Sequence, residues 1–445
     1  MNARGLLIGL AVVVAIGVAA GLWIISGPGP MAFAGGKVAL ADYRGPDPTG
    51  APAALAHASQ LQRGAYLART ADCLVCHTAR GKPFAGGFAF ALPFGTLYST
   101  NITPDRETGI GAYSDAEFLA AVHRGVRRDG ARLYPAMPFP SYTYMTDADA
   151  LAIKAYLFSL PPVHAPNRPD QLAFPFDQRW LMAAWSRFFN ADTRFRPSPS
   201  RSPDWNRGAY LAEALAHCGE CHTPRSIAFA LDNRRKFSGA VTAGWRAYDI
   251  SSDKGTGVGG WSDAELATYL AAGHAAGRGT ATGPMGEAVD QSFSQLAPED
   301  LRALVAYVRS VPATAASDLP ATPAGPASGW PKQGASVADA RGKRMFEGAC
   351  ASCHDWTGVS PLTPMATLTG SRAVNDPSAV NVAQVVISGA RRWTPQGVAA
   401  MPAFGHAYSN LEIAAVANYV TARFGARPSR ISEAGVAALR RAAAQ

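Results

Sequence analysis

The sequence predicts a mainly α protein: three tandem domains behind an N-terminal transmembrane helix. Three observations predict it. The pentapeptide Cys-x-x-Cys-His occurs three times, at Cys73–His77, Cys218–His222 and Cys350–His354. Each copy sits in a repeating context, with Arg-Gly shortly before the motif and an apolar helical pattern well after it. The 22 residues from Gly5 to Ser26 carry no charge.

Two cysteines three residues apart on one helical turn, followed at once by histidine, form the attachment signature of c-type haem. Each thiol makes a thioether to the porphyrin, and the imidazole points at the iron. The chain has six cysteines, so three motifs use them all and leave none for a disulfide or a catalytic thiol. Zinc wants paired Cys-x-x-Cys elements converging on one tetrahedral site. Here Cys218 follows Cys73 by 145 residues and Cys350 follows Cys218 by 132. A redox dithiol has no need of the histidine. The expectation is three covalently bound haems c, on Cys73 and Cys76, Cys218 and Cys221, and Cys350 and Cys353. The axial ligands on one side are then His77, His222 and His354.

A chain of 445 residues has room for about three domains of ordinary size. Its formal charge of +9 and pI near 9.3 suggest an anionic partner. Three haems bring about six propionate charges, which leaves the loaded protein only mildly basic. No basic stripe interleaved with aromatics is present, so nucleic acid is excluded as a partner.

The uncharged run would make a helix of roughly 33 Å, against a bilayer core of ~30 Å. Arg4 on the near side places the body of the chain across the membrane, and Trp23 suits the interface. Residues 1–30 are therefore read as a retained membrane anchor. A cleaved signal peptide is the alternative, with Ala32-Phe33-Ala34 as the cleavage site. The predicted location is the inner (cytoplasmic) membrane, with the haem domains facing the periplasm.

The repeats set the remaining boundaries: domains at 58–162, 204–312 and 339–427, a linker at 163–203 containing an aromatic helix, an Ala/Pro-rich linker at 313–338, and a tail at 428–445. Before the motifs stand Arg63-Gly64-Ala65-Tyr66, Arg207-Gly208-Ala209-Tyr210, and Arg341-Gly342 with Phe346. After them, Ile153/Tyr156/Leu157/Leu160, Leu301/Leu304/Val305/Val308 and Ile413/Val416/Ala417/Val420 fall at i, i+3, i+4, i+7. Tyr156, Tyr307 and Tyr419 lie on these late helices, and glycine on the early helix would let the two cross closely. Thr108 to Glu117 echoes Thr256 to Glu265, and each stretch ends in a Ser-Asp-Ala-Glu capping box.

A haem that only carries electrons needs both axial positions filled, and methionine opposite histidine raises its potential. Each domain has a methionine beside a proline, between the motif and the late helix: Met137, Met285 and Met401. One such methionine is ordinary core filler; three at equivalent places are read as ligands. Met145 is a rival in the first domain, and His123 and His274 are the alternative ligands in the first two. No catalytic constellation is visible. The enzyme alternative is a multi-haem peroxidase or reductase in which His123 or His274 governs one haem.

On Pro93-Phe94-Gly95-Thr96-Leu97-Tyr98-Ser99-Thr100-Asn101-Ile102-Thr103-Pro104-Asp105, Leu133-Tyr134-Pro135-Ala136-Met137-Pro138 and the three pentapeptides, the chain resembles a known family. It is similar to the three-haem cytochrome c subunit of bacterial membrane-bound dehydrogenase complexes acting on alcohols, gluconate, sugars or aldehydes. The resemblance implies three tandem class I cytochrome c domains and an electron-transfer subunit that is no enzyme by itself. It implies a catalytic dehydrogenase subunit as donor, ubiquinone as acceptor and the membrane as setting. It also carries the axial roles onto His77, His222, His354, Met137, Met285 and Met401. The retained anchor tilts the reading to a molybdopterin aldehyde dehydrogenase partner with a small iron–sulfur subunit, over quinoprotein or flavoprotein alcohol and sugar dehydrogenases.

Overall fold

Each repeat is organised around one close crossing of two helices. The computed structural model describes residues 27–314, 340–394 and 397–443, together with 9, 12, 13, 16–18 and 21. In the first unit α1 (Gln60–Thr70) starts at a capping box between Ser59 and Gln62. After it Asp72 takes a left-handed φ of 56°, and α2 (Cys73–Cys76) carries the cysteine pair. Strands β1 (Ala89–Leu92) and β2 (Gly95–Tyr98) form a hairpin, followed by α3 (Asp115–Arg124) and α4 (Asp147–Phe158). A linker strand, β3 (Gln171–Leu172), adds to β2 and makes a three-stranded antiparallel sheet. The aromatic linker helix is α5 (Leu181–Phe189).

The second unit repeats this plan. Helix α6 (Pro203–Tyr210) passes into a π turn at Leu211–Leu215 before α7 (Gly219–His222). Then come the hairpin β4 (Ala240–Thr242) and β5 (Trp245–Ala247), α8 (Asp263–Ala272), and a second hairpin of β6 (His274–Ala275) and β7 (Gly279–Thr280). Helices α9 (Gly283–Gln291) and α10 (Pro298–Val308) close it. The third unit has α11 (Ala340–Met345), a π turn at Phe346–Cys350, α12 (Ala351–His354), α13 (Arg372–Asn375) and α14 (Val380–Ser388). A hairpin of β8 (Ala390–Thr394) and β9 (Gly397–Met401) leads to α15 (Asn410–Phe424) and α16 (Glu433–Ala443).

The crossings are α1 on α4, α6 on α10 and α11 on α15. A Cβ at Gly64, Gly208 or Gly342 would collide with the carbonyl of Ala152, Ala303 or Ala415. It would also lie within 3.0 Å of the Cβ of Tyr156, Tyr307 or Tyr419. The early glycine and late tyrosine are thus one contact, made three times. One detail differs from the sequence reading. The early helices do not run straight into the motifs: a left-handed residue or a π turn intervenes and re-aims the cysteines.

The first two units share one apolar core, whereas the third has its own around Phe346, Ile413 and Phe424. The first two also exchange hydrogen bonds reciprocally. Tyr66 Oη donates to Asp300 at the start of α10 (2.7 Å), and Tyr210 Oη donates to Asp149 at the start of α4. Asp300 also takes two bonds from Arg207 (2.7 Å each), and Asp149 takes one from the Gly50 amide (2.8 Å). The segment ahead of α1 packs on the second unit, burying Met31 and Ala34.

Two expectations are corrected. The described residues form four small antiparallel sheets beside the helices, so "mainly α" overstates the fold. The strands are two to five residues long, too short for a periodic signal. Among the described residues no helix is long and apolar enough to cross a membrane, which overturns the N-terminal transmembrane helix. The inner-membrane placement read from the same run falls with it. Of the run from Gly5 to Ser26, only residues 9, 12, 13, 16–18 and 21 are among the described ones. Most of residues 1–26 and of the 313–338 linker lie outside the described residues.

Candidate haem-binding sites

The three motif histidines are held the same way. Nδ1 of His77 lies 2.7 Å from the Thr100 carbonyl, Nδ1 of His222 2.6 Å from that of Tyr248, and Nδ1 of His354 2.6 Å from that of Ala366. A carbonyl only accepts, so Nδ1 carries the proton and Nε2 keeps a free lone pair for a metal. Burial lowers the pKa of all three rings, which keeps them neutral and fit to ligate.

The thiols are equally consistent. Burial pushes Cys73, Cys76 and Cys218 up to about 12, and Cys221 and Cys350 up to about 11. A site that disfavours thiolate favours a neutral, apolar thioether. Cys353 is exposed, and none of the six is in a disulfide. Cys221 is one of the charges acting on Cys76, so the first two motifs are electrostatic neighbours.

In the first unit one cavity of about 730 Å³ is lined by Cys73, Cys76, His77 and Met137 together. That volume lies in the range of cofactor pockets, ~300–1,000 Å³. The donor set, the free imidazole nitrogen and the room all fit haem c. Met145 lines the cavity too but is fully buried in the core beneath it. His123 is 1% exposed, and its ring nitrogens have no hydrogen-bond partner, yet it is not part of the cavity wall. Burial lowers its pKa to about 4.

In the second unit Met285 lies in the first turn of α9, against the same core that Cys218 borders. Helix α9 also packs on α2 of the first unit. The carbonyl of Gly286, next to Met285, accepts from Nη1 of Arg392 on β8 (2.6 Å). The rival His274 spends Nδ1 on Thr280 Oγ1 (2.9 Å), while its Nε2 is buried without a partner. In the third unit Met401 ends β9, opposite Ala390, and borders the same core as Cys350.

The family model for cytochrome c matches residues 61–161, and that for cytochrome c oxidase, cbb3-type, subunit III matches residues 337–420. The fructose dehydrogenase cytochrome subunit of Gluconobacter japonicus is 37% identical over 88% of this chain and 85% of its own length. The gluconate 2-dehydrogenase cytochrome c subunit of Pantoea cypripedii is 36% identical over 86% and 89%. The chain belongs to the cytochrome c subunits of dehydrogenases. The cytochrome c subunit of the quinone-dependent alcohol dehydrogenase of Gluconobacter oxydans is 34% identical over 85% of this chain and 82% of its own. Like other subunits of this family, the chain binds haem c covalently and transfers electrons in a dehydrogenase complex, rather than catalysing the oxidation itself.

Sequence reasoning missed the carbonyls that orient the histidines and the arginines that the third unit inserts into the second. The carbonyls have no residue-type signature. The arginines act across more than 100 residues of chain, as with Arg392 and Gly286 at a separation of 106.

Proposed function

We propose that this subunit carries three haems c in three domains, 58–162, 204–312 and 339–427, and passes electrons from a catalytic dehydrogenase subunit to ubiquinone. The haems are attached at Cys73 and Cys76, Cys218 and Cys221, and Cys350 and Cys353. His77, His222 and His354 are their axial ligands on one face, and Met137, Met285 and Met401 on the other. One observation carries this reading: the same Nδ1-to-carbonyl bond recurs at all three motif histidines. A histidine kept for packing alone has no reason to be oriented identically three times.

Haem, when bound, supplies a one-electron couple at its iron. The chain's own residues fix how that couple behaves. Thr100, Tyr248 and Ala366 hold each ring through its Nδ1 proton, which fixes its plane and strengthens Nε2 as a donor. A methionine thioether as second ligand would close the iron to other ligands and favour its reduced state. Cys76 and Cys221 are close enough to act on each other's charge, so haems attached there would be neighbours for transfer.

Relatives covered along most of their length are named for fructose, gluconate and alcohol dehydrogenases, which supports an alcohol or sugar dehydrogenase as the electron source. The tilt to a molybdopterin aldehyde dehydrogenase with an iron–sulfur subunit rested on the anchor and loses its ground. The native complex tests the proposal. Mixed anaerobically with substrate, it should reduce every haem, and a ubiquinone analogue should reoxidise them. Haems that stay reduced after quinone, or peroxide turnover by this subunit alone, would overturn it.

A further inference from the structure

The third unit enters the second at a half-buried arginine. Arg372, the first residue of α13, donates through Nη2 to the carbonyls of Thr256 and Gly257. Its guanidinium carbon lies 5.7 Å from the centre of the Tyr248 ring, and the Tyr248 carbonyl orients His222. Nη1 of the same guanidinium is buried with no hydrogen-bond partner. A buried N–H left unpaired is costly, and a guanidinium's planar fork matches a carboxylate. Asp249, Asp253 and Asp376 are near enough to act on its charge. Each is bonded elsewhere: Asp249 to the Ser251 amide (2.7 Å), Asp253 to the Thr256 amide (2.6 Å), and Asp376 to Tyr248 Oη (3.3 Å).

The first unit shows what lies at this place. Thr108-Gly109 is the counterpart of Thr256-Gly257, and both residues line the 730 Å³ cavity. There the Thr108 carbonyl accepts from Asn167 Nδ2 (3.1 Å), and Asn167 is itself cavity wall. The next residue, Arg168, also lines the cavity and lies 4.0 Å over the Tyr98 ring. The first unit thus walls its cavity here with its own linker. The second unit receives Arg372 from the third, and its own Arg278 is already spent on Glu265 (3.0 and 3.2 Å).

We propose that Arg372 anchors a propionate of the haem held by Cys218, Cys221 and His222, so that the third unit completes the second unit's cofactor site. The inference rests on haem being bound at that motif. A cation beside the propionate favours the reduced iron, so removing it lowers that haem's potential.

Arg372→Gln in the full chain tests it, with haem content read by intact mass and by mass mapping of the Cys218–His222 peptide. With the wild-type haem content, one haem should titrate at a lower potential and the propionate bending bands in the resonance Raman spectrum should shift. Arg372→Lys keeps the charge but loses the planar fork. It should shift the Raman bands with a smaller change in potential, and it gives a readout even if the Gln chain does not fold. Unchanged bands and potentials in a fully loaded variant overturn the anchor. A haem-free Cys218–His222 peptide in the wild type overturns the underlying reading instead.

Discussion

A histidine ring offers two nitrogens, and here a backbone carbonyl decides which one is left for iron. In the proposed ligand set the methionines supply the second ligand. Met137→Ala, Met285→Ala and Met401→Ala should each remove one third of the sulfur-to-iron charge-transfer absorption, and a triple variant that keeps the full band would refute the ligand set. Glu265 gives a pH signature. Two bonds from Arg278 and the capping contact with Ser262 lower its pKa from 4.5 to about 2. A depressed acid stabilises the fold fully above its ordinary 4.5, and the gain is lost as pH falls through about 2. Glu265→Gln should therefore flatten the acid dependence of stability between those values, measured by denaturant titration at a series of pH. The Cys-x-x-Cys-His residues were legible because attachment chemistry needs them adjacent in the chain. Arg372 was not, because its partner Thr256 is 116 residues away and nothing local marks it.

At the scale of elements, the glycine–tyrosine crossing is the repeated part. The pattern Arg-Gly before the motif and tyrosine on the late helix announced it, because close approach of two helices constrains residue size at one position. Gly208→Ala would drive a methyl into the Ala303 carbonyl, and should cost about 1–3 kcal/mol by thermal or chemical unfolding. A neutral result there would mean that α6 and α10 can part without loss. The capping boxes at Ser114 and Ser262 formed as their sequences indicated, since a cap is satisfied within four residues. The π turns at Leu211–Leu215 and Phe346–Cys350 and the short hairpins were not legible. Their hydrogen bonds are set by what the surrounding chain packs against, not by local propensity.

Across the whole molecule the three repeats are joined in two different ways. The first two share a core and trade Tyr66–Asp300 for Tyr210–Asp149. The third has Arg344, not tyrosine, two residues after its glycine and cannot make that exchange; it grips the second unit with Arg372 and Arg392 instead. Losing the Tyr66 or Tyr210 hydroxyl should cost about 1.5–3 kcal/mol, as for other hydrogen bonds to a charged group. Tyr66→Phe and Tyr210→Phe should both destabilise the first two units in denaturant titration, and a Phe substitution without effect at either would break the reciprocity. Whole-molecule arrangement was the least legible level, because Arg372 and Arg392 reach partners more than 100 residues away, and no membrane-spanning helix is found among the described residues. Everything functional depends on porphyrin being bonded to this polypeptide at three places. The denatured mass of the mature chain measures that directly: the account predicts the polypeptide plus three haems, and a mass with two or fewer would contradict it.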